Sequence, residues 1–123
     1  MGRLINPGIG ELLDRLSILE LKIDRYKGDT ASYKDEAYAI RKRLPKQDRI
    51  WGPVHKELIE VNTKLWEAED QLRGLRLSPT LEMAWLSEAA TVGTSIQDLN
   101  DKRNSIIQAA NAAMGDGYKE KGD

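Results

Sequence analysis

The sequence predicts an all-α protein, an antiparallel bundle of three to four helices with coiled-coil-like packing. Three observations carry that expectation. Leu, Ala, Glu, Lys, Arg and Gln dominate the composition, while phenylalanine is absent. These are the residues that lose least on entering a helix. Apolar side chains recur at three-and-four spacing along most of the chain, which is the signature of an amphipathic helix. No stretch alternates apolar and polar residues in the period-two manner of a strand.

The first helix follows the turn signal Asn6-Pro7-Gly8. Its stripe is Ile9, Leu12, Leu13, Leu16, Leu19, Ile23 and Tyr26, and Gly28 is expected to end it as a left-handed C-cap. Ile18 and Leu21 lie off that stripe. A weaker second helix spans about Thr30 to Arg43, turning Tyr33, Ala37, Ile40 and Leu44 inward, and Pro45 stops it. After a linker from Lys46 to Pro53, the third helix is expected to start near Pro53. Its stripe is Val54, Leu58, Val61, Leu65, Ala68, Leu72 and Leu75, and the pattern fades after Gly74. Ser78-Pro79 reads as an N-cap followed by a first-turn proline. The fourth helix then runs to Met114, with Gly93 the point at which a kink is expected. Residues 1–115 make one helical domain, and 116–123 a flexible polar tail. The first, third and fourth helices are expected to carry the core.

Composition excludes several function classes. With 123 residues, the chain matches one domain by the prior of about 150 residues per domain. There is no cysteine, hence no disulfide, thiolate metal site or cysteine nucleophile, which says nothing against the cytoplasmic location expected. A single histidine, His55, excludes multi-histidine metal centres and the paired Glu-x-x-His di-iron arrangement. No apolar run is long enough to span a membrane, and the N-terminus lacks the apolar region of a signal peptide. A net charge of -1 argues against nucleic-acid binding.

The informative residues are polar side chains inside or beside the apolar stripes. Glu20 lies angularly between Leu13 and Leu16. Asn62 and Glu69 flank the third stripe on the side of Trp66, and Glu88 and Arg103 interrupt the fourth. A charge in a core costs several kcal/mol unless paired. Arg103, with its planar five-donor fork, is therefore expected to pair with one or more of Glu20, Glu69 and Glu88. Three readings stay open here: stripe-edge residues with their heads in water, a buried network that fixes register or oligomer state, and a ligand pocket in the bundle interior.

The segments Gly10-Glu11-Leu12 with Ile18-Leu19-Glu20 and Lys22, Asn62 with Leu65-Trp66 and Glu69-Asp70, and Asn100-Asp101 with Arg103 carry a resemblance. Across about Gly8 to Gly115 the chain resembles a family of small all-helical bacterial proteins of unknown function. Members of that family lie in some cases beside genes or domains of glycan synthesis. The resemblance implies no reaction, and residues 29 to 53 fit its pattern least.

Two further patterns bear on function. Paired carboxylates at i, i+3 hold magnesium in helical nucleotide pyrophosphohydrolases. Here Glu11/Asp14, Glu67/Asp70 and Asp98/Asp101 have that spacing, but no E-E-x-x-E is present, and the last two pairs point away from the stripes. His55 lacks the context of a catalytic base and is read as a surface residue, and Gly8-Ile9-Gly10 as a helix entry rather than a phosphate loop. Arg41, Lys42, Arg43, Lys46 and Arg49, with Tyr38 and Trp51, form a basic cluster. It is either a solvated helix end or an anion contact.

The sequence thus leads to a helical interaction or assembly module rather than an enzyme, meeting its own copy or a helical protein partner, with no cofactor and no metal. The alternative is a small-ligand binder, or a metal-dependent nucleotide-hydrolysing enzyme, using the polar residues of the bundle interior.

Overall fold

A computed structural model describes residues 8–46, 48–77 and 82–115. The described residues form four helices and no strand: α1 (Ile9–Arg25), α2 (Ala31–Arg43), α3 (Asp48–Leu77) and α4 (Glu82–Ala110), the last followed by a π-helical turn at Asn111–Gly115. The all-α bundle expected from the sequence is what the chain forms. The Ser78-Pro79 start signal and the 116–123 tail lie outside the described residues.

α1 is the central helix. Its main stripe is buried from Ile9 to Leu19, and its other side also buries Ser17 and Leu21. It packs on α2, α3 and α4. Leu21, which lay off the stripe in the sequence, is therefore covered by the chain itself. Ala37, Ile40 and Leu44, at and after α2, join the α1 leucines, Trp51 and Leu58 in one apolar cluster. The core thus draws on α2 more than expected; among the described residues of α4, the buried apolar ones are Val92 and Ala110.

The entry of α1 shows why glycine is needed there. No side chain of the local sequence caps the helix. Instead Asn111, in the π-helical turn, accepts the Gly10 N–H through Oδ1 at 2.7 Å. It also donates from Nδ2 to Glu11 at 2.8 Å. An otherwise orphaned helix N–H is satisfied by the far end of the chain. The approach is close enough that a Cβ on Gly10 would lie 2.4 Å from the Ile107 carbonyl oxygen.

Three boundaries differ from expectation. α1 ends at Arg25 with Tyr26 extended, and no glycine among the described residues has positive φ, so Gly28 is not a left-handed cap. The Tyr26 ring fills the space beside Gly28 and meets Tyr33 edge-on. α3 begins at Asp48, not Pro53, so Pro53 lies within the helix, where it forfeits one backbone hydrogen bond. Burial of Trp51, 9% exposed with Nε1 donating to the Pro45 carbonyl at 2.8 Å, holds this extra turn on the core. α3 also continues past Gly74 to Leu77. The helix assignment of α4 runs unbroken through Gly93.

Glycine substitutions should separate close approach from mere permissiveness. Gly10→Ala should destabilise by about 1–3 kcal/mol, because backbone must move. Gly93→Ala, where a Cβ meets nothing within 4 Å, should stabilise by up to about 1 kcal/mol. Chemical denaturation of both variants measures this, and equal effects of the same sign would contradict the packing described.

Candidate functional site

The polar residues of the bundle fall into two separate clusters along α1. The first joins α1 to α2 and α3. Glu20 accepts hydrogen bonds from Arg41 on α2 and shares a 2.7 Å bond with His55 Nε2 on α3. His55 also lies edge-on to Trp51. Burial works to raise the Glu20 pKa, but the hydrogen bonds and charges of His55 and Arg41 outweigh it and lower the value overall. His55 is thus a half-buried structural partner rather than the surface residue expected, because a carboxylate lies within its reach. α2 is held further by a two-pronged pair between Arg15 and Glu36, at 2.8 and 2.9 Å.

The second cluster joins α1 to α3 and α4. Asn62, 5% exposed, donates both amide hydrogens to α1: one to Asp14 Oδ1 at 3.0 Å and one to Ser17 Oγ at 2.7 Å. Ser17 spends its own hydrogen on the Asp14 backbone carbonyl at 2.7 Å, so its oxygen must accept from Asn62. From α4, Arg103 turns its Nε toward the same Asp14 Oδ1 at 3.7 Å. That nitrogen is buried and has no hydrogen-bond acceptor.

Arg103 is paired, then, but with Asp14 and with none of the three carboxylates expected. Glu20 is committed to Arg41 and His55. Glu88 is exposed and sits on the same helix as Arg103, about 22 Å along its axis at 1.5 Å per residue. Glu69 is exposed and forms no ion pair with Arg103; Arg73, four residues on, pairs with Asp70. Two members of the second cluster, Asp14 and Ser17, were not singled out in the sequence as partners of Arg103. A signal was present: Asp14, Ser17, Ile18 and Leu21 form a second three-and-four stripe on α1.

Beside this cluster lies a cleft of about 250 Å³ between α1, α3 and α4. Ile18, Leu21 and Leu65 give it an apolar wall, with Trp66 alongside, and Asn62, Glu69, Asn100 and Arg103 give it polar groups. The stem of Lys22 also borders it, while the Lys22 ammonium lies over the Tyr33 ring. Arg25 covers the Trp66 ring at 5.5 Å from its centroid. The structure thus brings Asn62, Glu69 and Arg103 to one cleft and leaves Glu20 and Glu88 elsewhere.

The basic cluster is broken up. Arg41 is engaged by Glu20, Lys42 lies over Tyr38, and Trp51 is a core residue. Arg43, Lys46 and Arg49 are exposed. Trp51 could not stack on a nucleic-acid base from its buried position. Among the described residues no three carboxylates or histidines converge on a cation position. Glu11 accepts from Asn111, Asp14 from Asn62 and Asp70 from Arg73.

No family model matches the chain, and no match was found among curated proteins or solved structures. The resemblance drawn from the helical motifs stands as an expectation.

The Glu20 cluster makes stability depend on pH in a defined direction. A folded pKa below the ordinary value of about 4.3 gives stabilisation that is complete above that value and is lost as pH falls through the folded pKa. The stability difference between the native protein and Glu20→Gln should shrink on acidification below about pH 4. Urea melts at a series of pH values check this; a difference that does not change with acidification would contradict it.

Proposed function

We propose that the chain is a non-enzymatic binding module whose recognition element is the α1/α3/α4 cleft. The observation that supports this is the composition of the cleft walls: an apolar side continuous with the core, facing an arginine, a carboxylate and two amides. Ligand sites commonly combine apolar walls with a few convergent polar groups. Asp14, Ser17 and Asn62 fix the floor through hydrogen bonds between helices, so the site is held in shape before a ligand arrives. His55, the one histidine, is tied to Glu20 and does not line the cleft. This favours binding over acid–base chemistry. The reading places the protein in the cytoplasm, in keeping with a cysteine-free sequence.

A second reading, assembly with its own copy or a helical partner, is favoured by the outer part of the α3–α4 hairpin. The end of α1 reaches Glu67 and Trp66 through Arg25. Farther along, Leu72, Leu75, Ile96 and Leu99 are half-buried and Leu86 is 49% exposed. A coiled-coil-like stem of two helices gains cover from a third or fourth.

A thermal-shift screen against small metabolites, run with native protein and with Asn100→Trp to fill the cleft, tests the first reading. A ligand at 100 times its Kd adds about 2.7 kcal/mol, which should raise Tm by about 10 °C. The shift should vanish in Asn100→Trp while the unliganded Tm stays near native. A shift that survives the filled cleft would refute the cleft as the site. No shift in any condition, with a dimer mass by light scattering, would favour assembly.

A further inference from the structure

The groups lining the cleft define a ligand chemistry, on the basis of the binding reading above. Arg103 forms no hydrogen bond among the described residues. Its Nε faces inward to Asp14, while the side chain as a whole is 31% exposed and borders the cleft. The outer edge of the guanidinium is therefore the part left to a ligand. That edge offers parallel N–H donors in the planar fork that suits a carboxylate.

The neighbours of Arg103 have the opposite character. Asn62 has spent both amide hydrogens on α1, so its carbonyl oxygen is the group it has left to offer. Glu69, lining the same cleft, is a carboxylate and only accepts hydrogen bonds at neutral pH. A second anionic group would meet repulsion there. A hydroxyl or ammonium would be matched. Ile18, Leu21 and Leu65 complete the site with apolar surface. A phosphate dianion suits this site less well than a carboxylate, since a single guanidinium faces it and Glu69 stands nearby.

We propose that the cleft binds a small carboxylic acid carrying an adjacent hydroxyl or ammonium and a short apolar body. The carboxylate sits on the outer edge of Arg103, the donor faces Asn62 and Glu69, and the apolar body lies along Ile18, Leu21 and Leu65.

Titration followed by amide chemical shifts tests this with four probes: leucine, its 2-hydroxy acid analogue, leucinamide and inorganic phosphate. Leucine or the hydroxy acid should bind with Kd below about 1 mM and move the amides of α1, α3 and α4 around the cleft. Leucinamide, which lacks the carboxylate, and phosphate should bind at least about tenfold more weakly, a difference of about 1.4 kcal/mol. Arg103→Gln should remove binding of both acids. Glu69→Gln, an exposed change that leaves the core intact, should weaken leucine more than the hydroxy acid. Leucinamide binding as tightly as leucine, phosphate binding more tightly than either acid, or no binding of either acid would each overturn the proposal. A neutral ligand found by the thermal-shift screen and excluded by Asn100→Trp would keep the binding reading and reject this ligand class.

Discussion

The carboxylate of Asp14 ties together the three helices that form the cleft. It stands on α1, accepts from Asn62 on α3 and faces Arg103 on α4. With most of its surface covered, it is costly to leave without partners, and an amide and a guanidinium from two other helices supply them. The same contacts position the cleft. Asn62 is turned by its bonds to Asp14 and Ser17 so that its oxygen remains free, and Arg103 is turned so that its buried edge looks inward. A shift of either α3 or α4 against α1 would break the arrangement at once.

α1 can hold this position because it is buried on both sides. Its leucine stripe packs with Ala37 and Ile40 of α2, Trp51 and Leu58 of α3 and Ile106 and Ile107 of α4, and a second stripe of Asp14, Ser17, Ile18 and Leu21 turns to α3 and α4. The polar clusters follow that geometry. Glu20 collects Arg41 of α2 and His55 of α3, and Asp14 collects Asn62 of α3 and Arg103 of α4. The Asn111 cap on Gly10 closes the far end, linking the first turn of the described chain to its last. The two exposed Arg15–Glu36 bonds add little energy, since surface pairs contribute about 0–1 kcal/mol, but they orient α2.

Much of this was legible in the sequence. Period and composition gave four helices, and the α1 stripe from Ile9 to Leu19 is the buried core. Wheel geometry also flagged Asn62 and Arg103 as polar residues facing inward. The partner of Arg103 was not legible, because angular position on one helix says nothing of axial level on its neighbours. Glu88 looked suitable on the wheel yet lies on the same helix, about four turns away. The place of Ile18 and Leu21, off the α1 stripe, was not legible for a related reason. A second stripe on one helix is equally compatible with a dimer interface and with packing inside one bundle, and the helical wheel does not distinguish them. The boundary at Pro53 was missed because Trp51, buried against the core, outweighs the single hydrogen bond that the proline forfeits.

A double-mutant cycle on Asp14→Ala and Asn62→Ala addresses the claim that one carboxylate couples the helices around the cleft. Stabilities of the native protein, both single variants and the double variant would be taken from chemical denaturation. Residues in one hydrogen-bond network show interaction energies of about 0.5–3 kcal/mol. The account predicts a coupling in that range, with the double variant losing less than the two single losses combined. Single losses that add to within about 0.3 kcal/mol would show that the two residues act independently and would contradict it.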